Sequence, residues 1–218
     1  SICEVVFTLI GLVTILERAQ AIKSSPSIAF VLESLSGQQQ SHVSPPEYVA
    51  DLFDHYAHHY DEHLTNILQY RVPQAIHKLV TSSLNPKKNS LIALDLGCGT
   101  GLCAEAIKPF CQHITGVDMS ANMLECAQKK NLYHETFHGD VFDYLSHDIH
   151  VDLILCGDLL PYLGDLDPLF SACTQSLKPR GKWLFSVEMT NNPGFYLGDN
   201  ARFLHNKDYI FQLAEKHQ

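Results

Sequence analysis

The sequence has no apolar run long enough to span a bilayer, no C-x-x-C pair, no low-complexity tract and no cluster of basic residues. Each absence removes a class of protein. A membrane helix needs about 20 apolar residues; the run from Val5 to Leu16 is shorter, and a buried helix is expected there. No basic stretch precedes that run and no small-residue cleavage site follows it, so it does not read as a secretory signal. The seven cysteines (Cys3, Cys98, Cys103, Cys111, Cys126, Cys156 and Cys173) are odd in number and several sit in apolar runs. They read as reduced, buried small hydrophobes of a cytoplasmic protein. With 15 Lys+Arg against 24 Asp+Glu, a net charge of −9, the chain lacks the cations that supply most affinity for phosphate backbones. Nucleic acid is therefore not expected as a partner, nor is a membrane.

What is present is a chain of 218 residues, 45% hydrophobic, enough for one sizeable core. It begins at Ser1, without Met, as a fragment or processed chain would. Residues 1–43 read as a helical extension: Leu16 to Ala21 favour helix, Ser24-Ser25-Pro26 interrupts it, Ser27 to Leu35 resumes it and Gly37 ends it. A polar linker, Gln38 to Pro46, leads into residues 44–218, with Pro46 placed to start a helix. Tyr48, Val49, Leu52, Phe53, Tyr56, Tyr60 and Leu64 then form one stripe at helical steps, and Pro73 marks a fresh helix start.

The period changes at Leu91. The run Leu91 to Leu96 ends at a glycine turn and reads as a strand buried on both faces. Further strands are expected at Ile114–Val117, Tyr133–Phe137, Val151–Cys156 and Lys182–Val187, with helices at 102–108, 121–129 and 167–177. Alternation of this kind makes an α/β, doubly wound, mostly parallel sheet. After Val187 there is no room for a final antiparallel strand pair, so a sheet lacking those strands is expected, as in a chain cut short.

The turn Asp95-Leu96-Gly97-Cys98-Gly99-Thr100-Gly101 follows a strand and opens a helix. Glycines there let backbone approach a ligand, and a helix start offers free N–H groups. The spacing is G-x-G-x-G, whereas a dinucleotide site uses G-x-G-x-x-G to seat a pyrophosphate. A carboxylate beside the turn, Asp95, suits a cationic ligand. Asp118, about twenty residues on, stands where an acid takes a ribose diol, or caps the next helix if Ser120 does not. Gly139-Asp140-Val141 follows the third strand: an acid to accept from an adenine amino group and an apolar residue for its ring, or a plain turn.

In this order, Leu94 to Gly101, Gly116 to Ser120, Gly139 to Val141, Asp152 to Leu155 and Leu177 to Gly181 resemble the class I S-adenosylmethionine-dependent methyltransferases over residues 91–188. The resemblance implies a Rossmann-like sheet and S-adenosyl-L-methionine as cofactor. It implies that Asp95, Gly97, Cys98, Gly99 and Gly101 line its methionine end. Asp118 and Met119 would hold ribose and adenine, Asp140 and Val141 the adenine edge, with Cys156 at the fourth strand's end. Upstream, Pro46 to Leu64 and Leu68 to Pro73 resemble predicted bacterial methyltransferases that carry tetratricopeptide repeats before the catalytic domain. Residues 1–43 would then be a repeat remnant. The helix bearing Tyr56 and Tyr60 would be a lid, or those rings would simply pack in the core. Arg71 would pair with the cofactor carboxylate.

Three further residues are candidates for substrate contact: Asp158 as a general base or a helix cap, Tyr162 beside it, and His205. His55, His59 and His63 step by four along one helix, but without further ligands they read as a solvated face and no metal is expected. The reading is thus a methyltransferase acting on a small molecule in preference to a protein. A nicotinamide oxidoreductase and a non-catalytic helical-repeat adaptor are the alternatives.

Overall fold

The computed structural model describes residues 2–217, with side chains from Gly11 to His217; Cys3 and the apolar side chains from Val5 to Ile10 lie outside these. Four helices come first: α1 Ile2–Ile22, α2 Pro26–Ser36, α3 Pro46–Glu62 and α4 Val72–Ser83. Local chemistry sets their ends. Ser25 caps α2 with Pro26 in its first turn, and Gly37 closes it in the left-handed region. Pro46 opens α3, which continues through a π-helical turn, His63–Ile67. Leu12 and Ile15 are 45% and 64% exposed, which corrects the expectation of a buried helix along this part of α1. Among the described residues α1 packs chiefly on α2, which leaves other sides of this stretch uncovered.

The body alternates β1 Leu91–Leu96, α5 Leu102–Ile107, β2 Cys111–Asp118, α6 Ala121–Lys129, β3 Glu135–His138, α7 Val141–Leu145, β4 Val151–Cys156, α8 Asp167–Ser176 and β5 Leu177–Phe185. The five strands are all parallel, in the order β3-β2-β1-β4-β5. Alternation along each strand divides the core into two layers. Leu94, Leu96, Ile154 and Cys156 face α7, α8 and the C-terminal helix; Ala93, Leu153 and Leu155 face α4 and α5. Chain order reverses between β1 and β4, and a ligand cleft is expected outside the carboxyl ends of strands at such a point.

Among the described residues no further strand joins this sheet. Three short strands, β6 Met189–Thr190, β7 Phe195–Leu197 and β8 Phe203–Asn206, build a second sheet in the order β6-β8-β7, followed by α9 Lys207–Lys216. That small sheet was not expected from the sequence, nor was α7. Phe203 is fully buried and meets Phe30 of α2 and Phe195, so α2 and the small sheet share one core with Leu197, Ala201 and Tyr48.

The segment between α2 and α3, which reads as a linker, is pinned throughout. Glu33 accepts from the amides of Gln40 and Ser41 at 2.5 and 2.6 Å, and Gln39 accepts from the Leu197 amide at 2.8 Å. Val43 pairs with Leu163 in an antiparallel bridge, Ser44 N–H donates to the Tyr162 carbonyl at 2.9 Å, and Gly164 N–H donates to the His42 carbonyl at 2.8 Å. Among the described residues no helix is long and apolar enough to cross a membrane.

Candidate active site

A cavity of about 500 Å³ opens over the carboxyl ends of β1, β2 and β4. Its floor is Gly97, Gly99, Asp118, Met119, Gly139, Asp140 and Val141, and one wall is Gly157 to Leu159 with Tyr162 and Leu163. The roof comes from upstream: His42, Val43 and Ser44 of the pinned strap, then Val49, Phe53 and Tyr60 of α3. The size falls in the range of small-ligand sites, about 300–1,000 Å³.

The glycine turn does what its residue types allow. Gly97 has φ 65° and a Cβ there would stand 3.1 Å from the Leu159 side chain. Gly99 N–H donates to Asp118 Oδ2 at 2.7 Å, and Ser120 N–H donates to Oδ1 at 2.8 Å. Asp118 is thereby locked facing the turn with lone pairs to spare. Burial raises its carboxyl, and the two amides pull it back down. Ser120, not Asp118, caps α6, accepting from Met123 N–H at 3.1 Å. Asp140 caps α7 by accepting from Phe142 N–H at 2.7 Å and still lines the cavity.

Other expected residues stand back from the cavity wall. Asp95 is 1% exposed, on the strand face opposite Leu94 and Leu96, where the Tyr133 hydroxyl donates to it at 2.7 Å. Burial pushes its carboxyl up to about 7, against the lowering effect of Tyr133. Cys98 turns its thiol inward against Gly116, and Gly101, at φ 93°, starts α5 and leaves room for Leu132. These three shape the turn from behind.

Four residues are corrected outright. Cys156 is fully buried on the α8 face, where the Trp183 indole N–H donates to its sulfur at 3.2 Å. Arg71 is exposed at the start of α4, outside the cavity lining. Tyr56 turns its hydroxyl to His63 Nδ1. His205, fully buried, donates from Nε2 to the carbonyls of Leu163 and Gly164 at 2.8 and 3.2 Å; burial lowers its pKa, and it holds the wall from outside.

Asp158 and Tyr162 do line the cavity. Asp158 has φ 61°, a backbone conformation unfavourable for a residue with a Cβ. The Ser186 hydroxyl holds it, donating to Asp158 Oδ1 at 2.9 Å. Tyr162 accepts from Arg202 Nη1 at 2.9 Å and packs edge-on against Phe53, centroids 5.3 Å apart. Burial pushes its phenol up to about 12, with Arg202 opposing.

Two residues were missed in the sequence. Tyr70, beside the expected Arg71, places its hydroxyl against Gly157, near Asp158; burial, then the neighbouring thiol and carboxylate, raise its phenol. A tyrosine one residue from a helix start carries no signal of that role. Ser44 lines the cavity at 3% exposure, and its hydroxyl has no hydrogen-bond partner. It sits before two prolines in what reads as linker.

The charge of the lining is one-sided. Among the described residues it holds four carboxylates (Asp118, Asp140, Asp158 and Asp165) and no lysine or arginine.

Residues 93–181 match the methyltransferase domain family. The chain is 30% identical over 131 residues to the ubiquinone biosynthesis O-methyltransferase of Coxiella burnetii, covering 56% of this chain and 52% of that protein. It is 32% identical over 114 residues to the protein of the same name in Idiomarina loihiensis, covering 48% and 45%. It thus spans about half the length of these curated relatives. Among solved structures, magnesium protoporphyrin IX methyltransferase from Synechocystis PCC 6803 with bound S-adenosylmethionine superposes with a TM-score of 0.62 at 14% identity, over 82% of this chain and 88% of that one. A DhpI complex with S-adenosylhomocysteine gives 0.61 at 18% identity, over 82% and 89%. The fold is the α/β, Rossmann-like methyltransferase fold.

Proposed function

We propose that this chain is an S-adenosylmethionine-dependent methyltransferase acting on a small-molecule acceptor. The observation that carries this reading is the lining charge: a glycine turn and a helix start open onto a cavity that, among the described residues, holds four carboxylates and no lysine or arginine. A ligand bearing a sulfonium and an ammonium is favoured there, whereas a pyrophosphate would face like charge. The match to methyltransferase domains and the shared fold support it.

In this reading the floor is the donor half. Asp118 has lone pairs left for a ribose diol, Met119 and Val141 flank a flat base, and Asp140 accepts from its amino group. Gly97 and Gly99 allow close approach, and Asp95 and Tyr133 brace the turn. When bound, the donor supplies a methyl group on a sulfonium, which keeps the C–S electron pair as the new bond forms to the acceptor. The acceptor's proton must then leave, and Asp158, held by Ser186, is the carboxylate placed to take it. Tyr162 contributes a ring wall, because its hydroxyl is engaged by Arg202. Phe53 and Tyr60 on α3 close the roof, as a lid does. Methyl transfer depends mostly on positioning, which a walled cavity supplies.

The helical pair α1 and α2, joined by a short turn, suits the remnant of a helical repeat. The six described cysteines are all free, which suits a reducing, cytoplasmic setting.

Calorimetry with S-adenosylhomocysteine and, separately, NADH tests the function. S-adenosylhomocysteine binds and NADH does not; the opposite result overturns the reading.

A further inference from the structure

We propose that Ser186 is a positioning residue that aims the Asp158 carboxylate at the donor's sulfonium, so that the cavity tells the charged donor from its neutral product. The inference rests on the methyltransferase reading above. One hydroxyl grips Asp158 twice: Asp158 N–H donates to Ser186 Oγ at 2.9 Å, and the same hydroxyl donates to Asp158 Oδ1 at 2.9 Å. Ser186 is itself anchored just beyond the β4–β5 pair, since its N–H donates to the Cys156 carbonyl at 3.1 Å. The grip matters because Asp158 has φ 61°, a conformation that a residue with a Cβ keeps only where its surroundings impose it. Backbone and carboxylate are therefore set together by a residue that stands outside the cavity lining.

The place of that carboxylate points to the sulfonium. Asp158 lines the cavity beside the glycine turn: a Cβ on Gly97 would stand 3.1 Å from Leu159, and one on Gly99 would stand 3.9 Å from the Tyr60 ring. Tyr60, Tyr70 and Tyr162 surround it; burial raises all three phenols, and the Asp158 charge raises each further. The other lining carboxylates have their own duties. Asp118 is steered by two amides toward the ribose, Asp140 caps α7 at the base end, and Asp165 is engaged by the Tyr209 hydroxyl and the Asp167 amide. With ribose and base on those two acids, the sulfur end falls to the turn side, where Asp158 stands. No lysine or arginine among the described lining residues offsets its charge. A fixed carboxylate in such a cavity attracts a sulfonium and gains nothing from a neutral thioether. Asp158 loses that attraction once the methyl group has moved to the acceptor: sulfur keeps the C–S electron pair, and the acceptor's proton passes to the carboxylate.

The test is calorimetry on the full chain with S-adenosylmethionine and with S-adenosylhomocysteine, and the readout is the ratio of the product's dissociation constant to the donor's. Asp158→Asn removes the charge and keeps a residue that tolerates left-handed backbone, so it lowers the ratio by roughly five- to twentyfold. Ser186→Ala frees the carboxylate and lowers the ratio by roughly two- to fivefold, whereas Ser186→Thr, which keeps the hydroxyl, holds the parent's ratio within about twofold. In the Asp158→Asn background Ser186→Ala lowers the ratio no further, because Ser186 acts through that charge. Melting curves establish that each variant folds; Ser186→Cys, similar in size but a weak donor, replaces Ser186→Ala if the alanine variant does not. A merely structural Ser186 would weaken both ligands alike and leave the ratio unmoved, which overturns the proposal. An unchanged ratio in Asp158→Asn, or a Ser186→Thr variant that behaves as Ser186→Ala does, also overturns it. Failure of the parent chain to bind either ligand is a separate result, and it overturns the methyltransferase reading instead.

Discussion

Two buried carboxylates, Asp95 opposite Gly116 on β2 and Asp118 two residues beyond that partner, serve one turn in different ways. Asp118 reaches the cavity with both oxygens steered by amides, so Asp118→Ala should reduce S-adenosylhomocysteine affinity by two orders of magnitude or more, about 3 kcal/mol, by calorimetry. Unchanged affinity would remove it from the site. Asp95 is a matter of stability. Its carboxyl moves from the ordinary 3.8 to about 7 on folding, mainly through burial. A carboxyl raised on folding contributes stability below its unfolded value, and that contribution is lost as pH rises through the folded one. Asp95→Asn should therefore gain stability over the parent between about pH 4 and 7, by a few kcal/mol, and then hold level. Urea titrations across that window check it; a difference independent of pH would show that Asp95 is ionised throughout. The residue types of Asp95, Asp118 and Asp140 were legible because they abut strand ends. Which of them faces the ligand was not, since that depends on strand alternation and on Tyr133, thirty-odd positions away in the chain.

At the scale of elements, α3 is attached to the glycine-turn side of the sheet by acids at two points. Asp54 accepts from the Ser120 hydroxyl at 2.5 Å and from the Asn122 amide at 3.1 Å; Asp61 accepts from the Thr100 hydroxyl and pairs with Lys130 at 2.5 Å. Asp54→Ala should loosen this clasp by about 1–3 kcal/mol. Stopped-flow measurement should show faster S-adenosylhomocysteine release, with quicker proteolysis inside residues 46–62; an unchanged release rate would mean that α3 is a fixed roof. The helices and strands with strong period were readable: β1, α6 and β4 fall at the expected residues. Short elements were not. The five residues of α7 and the two to four of β6, β7 and β8 carry too few positions for any period to show.

For the whole molecule, S-adenosylhomocysteine at 100 times its dissociation constant should stabilise the fold by about 2.7 kcal/mol, visible as a raised melting temperature. No shift would mean that the folded chain does not bind it. Phe203→Ala removes the ring that joins α2 to the small sheet and should cost about 3–5 kcal/mol. Its urea unfolding should stay a single transition; two transitions would show that this region unfolds by itself. The parallel sheet was evident from alternation alone, but the roof was not, because it depends on a strap with no pattern of its own. That strap has a consequence for inheritance. A domain joined to a new upstream partner would most simply be cut where the sequence looks like a joint. Here such a cut near Val43 would remove part of the cavity's roof, so a new upstream partner could not be acquired without also changing what the cavity admits. Upstream helices and cavity shape would have to evolve as one heritable unit.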